Sequence, residues 1–403
     1  MLKLKEYISE AANDTTRLKH LSHLEDLMFE EGKAGLEFAI ESIQIYINAL
    51  YNKSSGTLIT TKWDGSPSII VHDSGTDFWV ASKSAFNATP KLNRTDEDIE
   101  KNHGHSAGLV EKLKFALKYC KELNINGTVQ GDFLYTDNDL KPQTIDGVKH
   151  VTFKPNTIVY AVVADSDLGR KILASKMGII FHTYYTGNDF SSMKANFGYS
   201  VAKLKKSRNV FVDDAILKDK TKDLSLSADE QAVVLKAHAQ LQKLKVAIPT
   251  SFLTFLSSHK LVYPLMAKYN NSNVRAGNYT GLTHANGFAQ FVHDELQKDI
   301  DKVKTPASKT KKSDERQNII DFLDKNRAVL EKAYEAFSLI VTCKMIIVNK
   351  LNKLETGVSG FVERGNSLVA TTPEGFVAVQ GDRVVKLVDR LEFSRNNFLN
   401  RPR

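Results

Sequence analysis

Cysteine is nearly absent: Cys120 and Cys343 are the only two in 403 residues, so the chain can build neither a disulfide framework nor a C-x-x-C zinc site. The expected environment is a reducing cytosol. Long apolar runs are missing as well. The most apolar window, 337–348, is interrupted by Lys344 and falls far short of the ~20 apolar residues that span a bilayer, which predicts a buried helix and no membrane partner. The opening MLKLKEYISEAAND is broken by acids and polar residues, unlike a secretory signal. Neither G-x-x-x-x-G-K-S/T nor G-x-G-x-x-G occurs, which removes the usual phosphate-loop and dinucleotide-fold arguments.

What is present is the balance of a soluble globular chain, with 42% hydrophobic and 25% charged residues, long enough for two or three domains of roughly 100 to 200 residues. The formal charge of +8 fits a polyanionic partner.

Leucines and isoleucines at mixed three- and four-residue spacing predict helices over 16–52. From Gly56 the pattern changes to short β-rich runs at 57–61, 67–72 and 77–82, split by Asp64-Gly65 and Asp73-Ser74-Gly75, which predicts antiparallel hairpins. A helix is expected over 106–123, strands at 127–135, 148–153 and 157–163, a helix at 167–177 and a strand at 178–185. Helical periodicity then covers 228–246, 251–269, 286–299 and 314–354, while KVKTPASKTKK at 302–312 reads as a mobile basic loop. β-pattern returns at 360–364, 367–370, 375–380 and 383–388. The expected architecture is α+β, with an antiparallel-sheet domain in two parts, 1–188 and 355–403, interrupted by a helical insertion at 189–354.

The chemistry-bearing residues begin with Lys62-Trp63-Asp64-Gly65-Ser66-Pro67, a lysine at the end of a β-run before a tight turn. Held near a triphosphate, with its pKa lowered by neighbouring positive charge, such an amine becomes a nucleophile. Alone, the same pattern also describes a surface lysine before a β-turn. Further along come Gly131-Asp132-Phe133-Leu134, Tyr160-Ala161-Val162-Val163, Glu374-Gly375-Phe376-Val377-Ala378 and Val384-Val385-Lys386-Leu387-Val388. The ordered set resembles the covalent nucleotidyltransferase superfamily of ATP-dependent DNA ligases, RNA ligases and mRNA capping enzymes. The wider sequence, including SHLED at 22–26, KWDGSP, GDFLYT and HVTFKPNTIVYAV, also resembles a group of proteins from T4-like tailed bacteriophages.

That resemblance implies catalytic roles for Lys62, Glu374 and Lys386. Lys62 would form lysyl-AMP with ATP, and AMP would pass to a nucleic-acid 5′-phosphate before a 3′-hydroxyl seals the strand. Asp64, Gly65, Lys83, Asp132 and Tyr160 would bind the nucleotide, Tyr160 by stacking on adenine. Glu374 and Asp132 would hold Mg²⁺ or Mn²⁺, and Lys386 would neutralise the α-phosphate. Three departures stand out. Asp132 replaces the more usual Glu, Ser82-Lys83-Ser84 stands where many ligases have Ser-Arg, and Val384 and Val388 occupy both positions where a second lysine would flank Lys386, leaving Arg383 or Arg390 to compensate.

Only a short stretch follows Val388, so the C-terminal OB domain of DNA ligases and capping enzymes is expected to be absent. With the EGFVA and K-x-D-G-S forms, this favours RNA ends over DNA ends as partners, in the cytoplasm of an infected bacterial host. The competing readings are an adenylyltransferase with another acceptor and an inactive phage nucleotide- or nucleic-acid-binding protein. Other polar clusters carry less. His20 and His23 with Glu25 and Asp26, and His103 with His105, read as solvated faces before metal sites. His182 could line the nucleotide pocket, and Phe86 and Phe133 read as core. Lys203, Lys205, Lys206, Arg208 and the 302–312 lysines are candidates for nucleic-acid contact.

Overall fold

The computed structural model describes residues 21–50, 57–187, 192–214, 224–278, 283–354, 357–365 and 367–394. The fold is α+β with antiparallel sheets, and the chain divides into two compact units. The first comprises Met1–Leu21, Leu58–Lys220 and Leu354–Val384; the second comprises Ser22–Thr57, Thr221–Lys353 and Val385–Arg403.

In the first unit the strands Lys194–Phe197, Met177–Thr186, Gly127–Thr136, Ser68–Asp73 and Phe78–Ala81 lie side by side in that order, each antiparallel to its neighbour. Side chains alternate across this sheet, as the two-residue strand period requires. Ile69, Val71, Val129, Phe133, Ile179 and Phe181 face the helix Ala107–Tyr119, which presents Val110, Leu113, Ala116 and Leu117 to them. The expected core roles of Phe133 and Phe86 hold: they are 0% and 6% exposed. A second antiparallel sheet runs Ser367–Thr371, Ser359–Arg364, Val159–Val163, Val148–Phe153, Lys141–Ile145. The strands Thr57–Lys62 and Gly375–Gln380 are neighbours in a third.

The strand bounds after Gly56 match expectation to within about one residue, and Ser68–Asp73 and Phe78–Ala81 form the expected hairpin around Asp73-Ser74-Gly75. Asp64-Gly65 makes no hairpin: Thr57–Lys62 pairs with Gly375–Gln380 in a different sheet from Ser68–Asp73. A helix at Asp96–His103 was not foreseen. Its start is marked by a reciprocal cap between Thr95 and Asp98, a T-x-x-D signal that precedes almost no apolar periodicity.

The second unit is helical. Its longest helix, Arg327–Leu351, buries Leu330, Ala333, Tyr334, Phe337, Ile340, Val341, Lys344, Ile347 and Val348, the three-and-four spacing of a core helix. Three boundaries differ from expectation. The strands Lys194–Phe197 and Val210–Asp213 pair with Met177–Thr186, so the sheet domain continues past 188 through backbone ladders that short, weakly patterned strands did not announce. The N-terminal helix Lys33–Leu50 belongs with the helical unit rather than the sheet domain. Most of the supposed basic loop is the first part of the helix Pro306–Lys325. Pro306 occupies the first turn, where its missing N–H costs nothing, and alanine and lysine are good helix formers. Asn326, at φ −106° and ψ 19°, then separates this helix from Arg327–Leu351.

A charged network is buried within this unit. Lys344 and Glu25, each 0% exposed, pair at 2.7 Å. Arg390 Nη1 donates to Asp26 at 2.8 Å, and its Nη2 donates to Asn271 at 2.8 Å. Glu25 and Asp26 are therefore structural charges and not the expected solvated face, and His103, 4% exposed, is buried too; His20 lies outside the described residues. No described helix is long and apolar enough to cross a membrane.

Removing one member of a buried pair strands the other charge, which costs ~3–5 kcal/mol, whereas replacing both by apolar groups can be nearly neutral. Lys344→Met should lower the urea midpoint strongly, and Glu25→Leu with Lys344→Met should recover much of the loss. An unchanged midpoint in the single variant would show that the pair does not act as a buried unit.

Candidate active site

Lys62 ends the strand Thr57–Lys62, and the residues after it are fixed by hydrogen bonds. The Asp64 carboxylate accepts from Asn156 Nδ2 at 2.8 Å and from the backbone N–H groups of Thr157 and Ile158 at 2.7 and 3.0 Å. The Asp64 N–H donates to the Tyr160 hydroxyl at 2.7 Å. Ser66 N–H donates to Phe133 O at 2.9 Å, and Phe133 N–H returns a bond to Pro67 O at 3.0 Å. Gly65 passes directly over Asp132: a Cβ added there would lie 2.6 Å from the Asp132 Cβ, so no larger residue fits without displacing the strand.

Glu374, just before the strand Gly375–Gln380, forms an ion pair with Lys62. Gly375 turns the chain at φ +145°, a region side chains rarely enter. Lys62, Trp63, Asp132, His182, Phe197 and Val377 line one pocket of about 90 Å³, smaller than the ~300–1,000 Å³ of most small-molecule sites. Asp132 and His182 reach it from adjacent strands, with His182 Nε2 3.5 Å from Asp132 Oδ1. The ladder runs Gln130 to Thr183 and Gly131 to Phe181, leaving His182 as an extra residue between them. Such a β-bulge re-aims a side chain, and bulges concentrate near active sites.

The charges interact. Burial alone would lower the Lys62 amine, but Glu374, with Asp132 and Asp64, outweighs it and holds the pKa above the ordinary lysine value. Burial raises the Glu374 carboxyl above its usual range, against the opposing pull of Lys62. At Asp132 the burial effect is overcome by His182, aided by Lys62 and Lys83, so its pKa is lowered. The expectation that positive neighbours depress the Lys62 pKa is thus reversed: carboxylates surround the amine and favour its ammonium form.

Six of the expected site residues, Lys62, Asp64, Gly65, Asp132, Tyr160 and Glu374, stand together in the first unit. Lys83 is exposed in the same unit, close enough for its charge to act on Asp132. Lys386 belongs to the second unit, on the strand Arg383–Leu387 that pairs in parallel with Ser22–His23, and its charge is felt at Glu30. Tyr160 needs correction. It is 4% exposed, its hydroxyl is engaged by Asp64, and its ring packs against Trp63 and Phe153 at centroid distances of 4.9 and 5.5 Å. It supports the Lys62 loop, and the aromatics that line the pocket are Phe197 and Trp63, the latter at a position the K-x-D-G motif leaves open.

Two carboxylates flank Lys62, the hard-oxygen donor set that suits a Mg²⁺ ion carried in with substrate phosphates. Among the described residues no group of three or more His, Cys, Asp or Glu side chains forms a metal cage.

A family of unknown function, DUF6267, matches residues 14–401. The chain belongs to that family. No curated protein and no solved structure matches it. For this DUF6267 member, the reading of function therefore rests on the site itself and on the motifs that compose it.

Asp64→Ala would leave two buried backbone donors and an amide without their acceptor, a loss of about 3 kcal/mol. The thermal midpoint should fall, and Asp64→Asn, which keeps one carbonyl oxygen, should fall less. Equal midpoints for wild type and Asp64→Ala would remove the carboxylate from its anchoring role.

Proposed function

We propose that this chain is a covalent nucleotidyltransferase, an ATP-dependent polynucleotide ligase that acts through lysyl-AMP on Lys62 and joins RNA ends in preference to DNA. The observation that carries the reading is the meeting of Lys62 with Glu374, 312 positions away in sequence, beside Asp132 and in one pocket with Trp63. The motif order alone resembles the ligase and capping-enzyme superfamily, and side-chain convergence adds support that spacing could not.

In the proposed reaction the Lys62 ammonium gives up a proton, with the buried Glu374 carboxylate as its nearest acceptor. Nζ then attacks the α-phosphorus of ATP, the bond to the bridging oxygen breaks, and pyrophosphate leaves. A terminal 5′-phosphate oxygen next takes the AMP from Lys62, and a 3′-hydroxyl displaces AMP to form the phosphodiester. Mg²⁺ or Mn²⁺ bound through Glu374 and Asp132 would neutralise charge developing on the α-phosphate. His182 holds Asp132 oriented, while Trp63 offers a ring face to the base. The superfamily resemblance assigns further phosphate neutralisation to Lys386. The RNA preference follows the KWDGSP and EGFVA forms, which resemble those of RNA ligases, and the setting would be the cytoplasm of a phage-infected bacterium.

One observation favours a second reading. The Lys62 amine is held protonated by Glu374, which suits a protein that binds nucleotide without turnover. Mixing the chain with α-labelled ATP and Mg²⁺ separates the two. Covalent label is expected on wild type and none on Lys62→Ala, with a rate that climbs from about pH 6 to about pH 9 as the amine loses its proton. Glu374→Ala and Lys386→Ala should each slow labelling by about 10²- to 10³-fold, the usual cost of an electrostatic contact at a transition state. Label persisting on Lys62→Ala would overturn the mechanism, and an unlabelled wild type would favour binding without turnover.

Substrate choice has its own test. Joining of 5′-phosphate and 3′-hydroxyl RNA ends should exceed sealing of a nicked DNA duplex by at least about tenfold, ~1.4 kcal/mol in barrier height. Faster sealing of the DNA nick would place the chain with DNA ligases.

A further inference from the structure

The first unit carries a second cleft on the helical side of its main sheet, the face opposite Asp132 and His182. This cavity of about 430 Å³ is lined by Arg94, Lys114, Phe115, Lys118, Tyr119 and Lys121, and by one carboxylate, Asp96. Two of its cations are already neutralised: Arg94 makes a two-pronged contact with Asp77 at 2.8 and 2.7 Å, and Lys114 pairs with Glu100 at 2.6 Å. Lys118 and Lys121 are different. Their ammonium groups lie over the rings of Tyr119 and Phe78, at 5.1 and 5.2 Å, and among the described residues no carboxylate pairs with either.

The fold adds more positive charge here from a distant segment. Glu122 accepts from Ser207 Oγ at 2.5 Å and from Asn209 Nδ2 at 2.9 and 3.1 Å, while Lys205 N–H donates to Leu123 O at 2.9 Å. These bonds seat 205–209 against the end of the cleft-lining helix, and Lys205, Lys206 and Arg208 remain exposed there. Lys118 near the end of that helix and Lys121 in the turn after it stand three residues apart, and like charges so placed repel, a cost that a bound polyanion offsets. Phe115 and Tyr119, half-buried with ring centroids 5.8 Å apart, supply aromatic surface between the cations.

Interleaved cations and rings are the features by which proteins hold single strands, phosphates on lysines and bases on aromatics. We propose that this cleft binds single-stranded nucleic acid, a docking site separate from the Lys62 pocket. The proposal rests on the polynucleotide-substrate reading, but its test requires no turnover.

The probe is fluorescein-labelled oligouridine, followed by anisotropy across a salt series with the full chain. Lys118→Ala, Lys121→Ala, Lys205→Ala and Lys206→Ala combined should weaken binding more than about tenfold and reduce the logarithmic salt slope by about 0.7 per lost contact. Phe115→Leu with Tyr119→Leu should weaken oligouridine about fivefold or more and leave inorganic polyphosphate, which has no bases, unchanged. Lys62→Ala should bind oligouridine like wild type, so loss of labelling and loss of docking are read separately. An unaltered affinity and slope in the four-lysine variant overturns the proposal. So does polyphosphate binding equal to that of oligouridine with no effect of the ring replacements, which would mark a general polyanion face. Binding abolished instead by Lys302, Lys304, Lys309, Lys311 and Lys312→Ala would move the site to the second unit and overturn it equally.

Discussion

The Asp64 carboxylate is the constraint on which the candidate site depends. It is 7% exposed and satisfies three donors from 156–158, while its own N–H meets the Tyr160 hydroxyl. A buried carboxylate is tolerated only when such donors replace water. With Asp64 fixed, the chain direction after Lys62 is fixed, Gly65 comes down on Asp132, and the lysine at the strand end faces the pocket. Tyr160 serves this anchor, which is why its ring is unavailable to a ligand.

Around that frame, charge is arranged in opposition. Lys62 is encircled by Glu374, Asp132 and Asp64, and each carboxylate favours the ammonium form. His182 offsets one of them by pairing with Asp132. A site that holds its candidate nucleophile protonated makes reactivity conditional on what enters: a divalent cation would compete with Lys62 for the carboxylates, and phosphates would compete with the carboxylates for Lys62. Perturbed pKa values clustered in a pocket are a recognised mark of functional sites, although structural ion pairs perturb pKa values too. The Lys344–Glu25 pair, by contrast, is fully buried within the helical unit and ties the helix Arg327–Leu351 to the turn at Glu25.

The two faces of the main sheet separate two kinds of surface. Strand alternation sends Asp132 and His182 to one face, and Val129, Phe133, Ile179 and Phe181 to the other, where the helix Ala107–Tyr119 covers them. That helix turns Lys114 and Lys118 outward, and Lys121 follows in the turn after it. The charge on the Asp132 face is thus partly buried and paired, whereas on the helical face Lys118 and Lys121 are exposed and lie over aromatic rings.

Local pattern in the sequence sufficed for the alternation of β-runs and helical blocks, the strand bounds after Gly56 with the hairpin turn at Asp73-Ser74-Gly75, the buried nature of 337–348, and the selection of Lys62, Asp132 and Glu374 as site candidates. Those features are local, since period, turn chemistry and short motifs act over a few residues. Tertiary structure decided which carboxylate reaches Lys62, that Tyr160 supports rather than stacks, that Trp63 and a bulged His182 face the pocket, and that Glu122 gathers 205–209 beside Lys121. It also decided that much of the 302–312 segment is helical and that Lys386 stands in the second unit. Each of these depends on strand register or on contacts between residues tens to hundreds of positions apart, and one-dimensional spacing carries no information about which distant side chains a folded backbone brings together.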